Sequence, residues 1–107
     1  MKKVTLNVPE SIAELHAKVG DKLFLSALRE AVKQLIRKEQ RDLKIIQKRI
    51  TVFERKYKTE FGKFQENLPP EGDYQLHEDY GEWSYLTDVA RTIEKDLAIY
   101  QRLNGAA

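Results

Sequence analysis

Between Leu25 and Tyr57 the chain has neither proline nor glycine, and apolar residues return every three or four positions: Leu25, Leu28, Val32, Leu35, Ile36, Leu43, Ile46, Ile50, Phe53 and Tyr57. Spacing of this kind lays an apolar stripe along one side of an α-helix, with a single polar step at Glu39. Taken from about Leu23 to Tyr57, such a helix is roughly 50 Å long at ~1.5 Å per residue. A helix of that length with one apolar side has to be covered, either by the rest of its own chain or by another. Every expectation about the remaining segments follows from that need.

Upstream, Lys3-Val4-Thr5-Leu6-Asn7-Val8 alternates polar and apolar residues. In a strand this puts Val4, Leu6 and Val8 on one face and Lys3, Thr5 and Asn7 on the other. Pro9 suits a first helical turn, Ile12, Leu15 and Val19 recur at helical spacing, and Gly20 is placed to end that first helix. Asp21 can cap the long helix that follows. Downstream, Lys58-Thr59 reads as a break, with Thr59 capping a short helical turn that presents Phe61 and Phe64. Leu68-Pro69-Pro70-Glu71-Gly72-Asp73 is the natural linker. Asp79 and Glu82 have the spacing of a capping box at the start of a terminal helix, whose apolar positions are Trp83, Leu86, Ala90, Ile93, Leu97 and Tyr100 and whose stop is Asn104-Gly105. The fold class expected is mainly α with one amino-terminal strand.

The formal net charge is only +2, yet it is divided very unevenly. Residues 1–64 carry 16 Lys and Arg against 8 Asp and Glu, or +8, whereas residues 65–107 carry 3 against 9, or −6. A basic half suits a polyanion and an acidic half suits a basic partner. At 107 residues the chain is too short for a large catalytic fold, and with 41% apolar and 34% charged residues it is neither membrane-like nor fully disordered. The absence of cysteine removes disulfides and thiolate chemistry. The amino terminus has no apolar run of signal-peptide length, so a cytoplasmic protein without membrane association is expected.

A lone strand leaves its amides and carbonyls unpaired, and no second strand candidate occurs, so the expected partner is a twin chain in a homodimer. In Lys3-Val4-Thr5-Leu6-Asn7-Val8-Pro9-Glu10-Ser11, in Gly20 between the helices, and in Leu28-Arg29-Glu30-Ala31-Val32, the first forty residues resemble the ribbon-helix-helix family of DNA-binding proteins. The resemblance implies that residues 1–40 form a dimeric module whose outward strand residues Lys3, Thr5 and Asn7 read base edges of duplex DNA, with Lys2 adding phosphate attraction. Their chemistry suits this role: Lys donates to guanine, Asn pairs with adenine, and Thr bonds either base or touches a thymine methyl. The family often has Ser or Thr at the start of its second helix, where this chain has Lys22-Leu23-Phe24-Leu25, leaving backbone amides to hold a phosphate there.

The remainder, residues 41–107 with the linker near 68–73, is similar in its aromatic and acidic pattern to the extensions of type II antitoxins. That likeness implies an antitoxin that binds the operator of its own operon and neutralises a basic cognate toxin. Its partner-binding candidates are Phe61, Phe64, Tyr80, Trp83, Tyr85 and Leu86, since aromatic burial anchors an interface while carboxylates stand in for phosphate. Other readings stay open, one of them a helical binder of single strands or RNA that uses Lys and Arg beside Phe53, Tyr57 and Phe61. Trp83 and the residues in line with it can instead pack on Leu43, Ile46, Ile50 and Phe53 as an antiparallel helical pair. The whole chain can also be a helical coiled-coil adaptor without DNA, in which Arg37, Lys38, Arg41, Lys44, Lys48 and Arg49 meet the acidic tail. Catalysis is not expected, nor a cofactor or metal: His16 reads as a boundary residue, His77-Glu78-Asp79 lacks ligand spacing, and Ser11, Ser26 and Ser84 have no triad context.

Overall fold

A computed structural model describes residues 2–104. Three helices follow one another: α1, Glu10–Tyr57; α2, Phe61–Glu66; and α3, Tyr74–Leu103. Helix makes up 82% of the structure, and among the described residues there is no strand. The mainly helical expectation therefore holds, while the ribbon-helix-helix architecture, which requires a paired strand, is corrected. The physical reason lies in residues 3–8. Alternation fixes two faces, but an extended segment becomes a strand only when a second backbone accepts its hydrogen bonds, and no other segment of this chain supplies one. Residues 2–9 are without regular secondary structure and exposed.

Helix α1 has one internal break, at Gly20, whose backbone sits at φ 85° and ψ 168°. Only glycine adopts this conformation without strain. An unbroken helix of 48 residues would be roughly 72 Å long at ~1.5 Å per residue, whereas the molecule's longest dimension is 65 Å. The short first helix and the long second one foreseen from Val19-Gly20 are thus present as two limbs of α1. The second limb ends at Tyr57, where Lys58 turns into the left-handed region at φ 55° and its N–H bonds the Glu54 carbonyl.

Two expected caps fall elsewhere. Glu60, rather than Thr59, precedes α2 and makes no side-chain cap. Helix α3 begins five residues before Asp79 of the expected Asp79–Glu82 capping box, with Asp73 at its N-cap accepting from the Gln75 amide at 2.9 Å. The acid that caps is the one at the end of the Pro/Gly-rich linker, which leaves Asp79 within the helix and free for another task. Asn104 stands at the carboxyl end of α3 as foreseen, and Gly105 lies outside the described residues.

α3 runs back along the carboxyl part of α1, with Arg49 paired to Glu82 and Lys56 to Asp79, and α2 closes the end of this hairpin. The core consists of Phe53, Phe64, Trp83 and Leu86, flanked by Ile46, Ile50, Tyr57, Phe61, Leu68, Leu76 and Tyr80. Ala90, Ile93 and Leu97 prolong the buried side of α3. Before Phe53 no described residue is buried.

Candidate functional site

The indole of Trp83 is the centre of the hairpin, with no exposed surface. Phe53 of α1 lies nearly parallel to it, ring centres 5.6 Å apart, and Phe64 of α2 approaches to 5.0 Å. Tyr57 and Phe61 complete the ring of neighbours at 6.1 and 5.5 Å. Aromatic pairs at these distances add to the gain from burying their area. The indole Nε1 has no hydrogen-bond partner, so packing alone holds the side chain.

This geometry sorts the six partner-binding candidates. Trp83, Phe64 and Leu86 are packed inside the chain's own core, as in the helical-pair reading. Phe61 and Tyr80 are half-buried and stacked on one another at 5.8 Å, and the Tyr80 hydroxyl accepts from Gln65 at 3.1 Å. Only Tyr85 stands well out from the hairpin, at 67% exposed. The three-four spacing that makes Trp83 an attractive anchor is the same signal that makes it a core residue, and periodicity alone does not separate the two.

Asp79, the one buried charged residue among those described, is the polar centre of the hairpin and was missed as such from sequence. Its Oδ2 accepts from Lys56 Nζ at 2.6 Å and from the Tyr57 hydroxyl, while Oδ1 accepts from Gln75 Nε2 at 2.9 Å. The Lys56 hydrogen bond foremost, then those of Tyr57 and Gln75, hold the Asp79 carboxyl below its ordinary range against the opposing effect of burial. The same contact raises Lys56 above its ordinary value. Burial first, and the bond to Asp79 second, raise Tyr57. Both carboxylate oxygens are thereby given donors, and the cluster ties α1 to α3. Arg49 with Glu82 adds a more exposed tie on the same pair of helices.

At the other end of the molecule, Lys2, Lys3, Thr5 and Asn7 are all exposed. Val4, Leu6 and Val8 line a hollow of about 410 Å³ together with Ile12, His16 and Phe24. A neighbouring hollow of about 450 Å³ is shared by Lys2, Val4, Asp21, Leu25 and Leu28. The alternation along residues 3–8 is therefore expressed as sidedness, with the apolar residues turned toward the bend, without strand pairing. His16 Nε2 meets Asp21 Oδ1 across the Gly20 bend, and its ring edge faces Phe24 at 5.2 Å. The apolar residues here remain open to water, Val4 at 77% and Leu6 at 73%.

Among the described residues no group of three or more His, Asp or Glu side chains is arranged to hold a metal ion, and no helix is long and apolar enough to cross a membrane. Compared with protein-family models, curated proteins and solved structures, the chain has no match. The class defined by the fold is an all-helical protein with a folded carboxyl-terminal hairpin and an uncovered amino-terminal limb.

Proposed function

We propose that the chain is a self-associating regulatory protein of the antitoxin kind, with a basic amino-terminal end for duplex DNA and an acidic carboxyl-terminal hairpin for a basic partner protein. The observation that carries this reading is the uncovered apolar face around the Gly20 bend, formed by Val4, Leu6, Val8, Ile12, Leu25 and Leu28, all exposed. Contiguous apolar surface of this kind marks an interaction site in a soluble protein. A second copy supplies an identical face, and a two-fold axis lets both be covered at once. Lys3, Thr5 and Asn7 do not line that face, which leaves them for the bases, and doubling the chain doubles the basic charge offered to phosphates. The DNA reading rests on these exposed side chains and on charge, with no strand required.

The test has two arms. Light scattering is expected to give a dimer that Leu6→Lys/Leu28→Lys reduces to monomer. Band-shift titration against the DNA upstream of its own gene is expected to show binding that a Lys3→Ala/Thr5→Ala/Asn7→Ala variant loses, at ~1–3 kcal/mol per base contact. A monomeric wild type, or unchanged DNA affinity in the triple variant, overturns the proposal. A second reading, the helical adaptor without DNA, is favoured by one observation: Arg49 and Lys56 are already engaged by Glu82 and Asp79 of the same chain. Wild-type protein that dimerises but ignores DNA at low salt selects it.

A further inference from the structure

Helix α3 has a second seam, on the side away from the core. Its buried residues Asp79, Trp83, Leu86, Ala90, Ile93 and Leu97 define one face. About half a helical revolution away stand Tyr74, Tyr85, Ile99 and Leu103, all exposed, Tyr74 at 76% and Ile99 at 57%. They are separated by 11, 14 and 4 residues, close to whole turns of 3.6, so they fall on one line roughly 44 Å long at ~1.5 Å per residue. Glu78, Asp88 and Asp96 lie along the same line. The Tyr74 hydroxyl donates to Glu78 at 3.0 Å, and Asp88 has only an exposed, 3.4 Å contact with Arg91. Lys95 flanks the seam.

We propose that this outer seam is a docking surface for a basic amphipathic helix of a partner protein. The inference rests on the reading that the acidic half holds a basic partner, and it moves the contact from Trp83 to the opposite side of α3. Apolar residues at helical intervals are matched by a helix laid along them, whose leucine-type residues cover Tyr74, Tyr85, Ile99 and Leu103. The interleaved carboxylates require cations opposite. A second copy of α3 is the poorer occupant: laid parallel in register it sets Glu78, Asp88 and Asp96 against their own kind, and laid antiparallel over the same length it brings the two Asp88 residues together at its centre. The docked helix leaves the hairpin closed, since none of the seam residues belongs to the core.

The probe is a synthetic lysine–leucine amphipathic helix of about 24 residues, fluorescein-labelled, with a scrambled peptide of the same composition as control. Anisotropy titration of the full chain is expected to show binding of the helix and at least tenfold weaker binding of the scrambled peptide. Tyr85→Ser/Ile99→Ser is expected to weaken the helix tenfold or more, and Glu78→Gln/Asp88→Asn/Asp96→Asn to weaken it and flatten its salt dependence. Emission from Trp83, the chain's single tryptophan, is expected to stay unchanged on binding. Equal binding of the scrambled peptide, unchanged affinity in the seam variants, or a red shift of Trp83 emission each overturns the proposal. So does light scattering in which Tyr85→Ser/Ile99→Ser lowers the oligomeric state, which assigns the seam to a second copy. Failure of the DNA and dimer tests with retained peptide binding strikes the regulatory reading alone. Dimerisation and DNA binding without peptide binding strike the seam alone.

Discussion

The same apolar stripe of α1 has two fates. From Ile46 to Tyr57 it meets α3 and α2 and helps enclose Phe53, Phe64, Trp83 and Leu86, whereas Leu25, Leu28 and Leu35 stay exposed. The residues are of the same kind and the helix is continuous, so the difference is one of supply: the chain contains enough helix to cover one part of the stripe and not the other. Periodicity therefore states that a face will be covered, and the folded chain states by what. The carboxyl-terminal hairpin is complete in itself. The amino-terminal part of the molecule keeps its apolar residues exposed.

The comparison can be broken most severely at Trp83. Trp83→Ala is expected to cost ~3–5 kcal/mol, because a fully buried ring is lost and a cavity left; a thermal melt of the variant should show the hairpin unfolding well below the wild type. A smaller effect is expected at Asp79, where Asp79→Ala deprives Lys56, Tyr57 and Gln75 of their common acceptor. The cost is ~1.5–3 kcal/mol, toward the lower end because half of Lys56 reaches solvent, and chemical denaturation measures it.

The same cluster sets a pH dependence. Asp79 has a lowered pKa, so its contribution is present above the unfolded carboxylate value near ~4 and is lost as pH falls through the folded value. Lys56 and Tyr57 have raised values, so theirs is present below ~10 and is lost as pH rises beyond that. Circular dichroism melts should give a plateau between about pH 5 and 9, falling on both sides, and Asp79→Asn should remove much of the acid-side slope.

Gly20→Ala tests the limb instead. The bent conformation becomes ~1–3 kcal/mol less favourable for a residue with a Cβ, while alanine favours continuing the helix. X-ray scattering should report a longer molecule and circular dichroism more helix, with the hairpin's melting temperature unchanged. The smallest effect sharpens the comparison: Leu28→Lys is expected to change hairpin stability by less than ~0.5 kcal/mol while weakening self-association. A lowered melting temperature for the hairpin would show that the two regions are coupled.

Much of the helical layout was legible because it depends on neighbours in sequence. The end of the long helix at Tyr57, the break at Lys58, the linker before Asp73 and the bend at Gly20 all follow from local conformational preference. The sequence leaves the pairing of Trp83 with Phe53 as one of two outcomes, since an apolar line on a helix does not name what covers it. The strand was misread for a related reason: alternation in residues 3–8 specifies two sides, and hydrogen bonding to another backbone makes the strand. Asp79 was misplaced because an acid before an aromatic run looks like a cap. Its true role depends on Lys56 and Tyr57, more than twenty positions away, and no local pattern contains that information.

The hairpin also sets an order of events in folding. Its ties join residues 15 to 33 positions apart, from Gln65–Tyr80 to Arg49–Glu82, and loops of that length close early, in the microsecond to millisecond range typical of helical proteins. Translation releases the amino-terminal part of the chain first, at ~5–20 residues per second, so Val4, Leu6, Leu25 and Leu28 emerge seconds before α3 exists. The hairpin then closes almost as soon as its last helix is made. Val4, Leu6, Leu25 and Leu28, which no later segment among the described residues buries, stay open to water after the hairpin has closed.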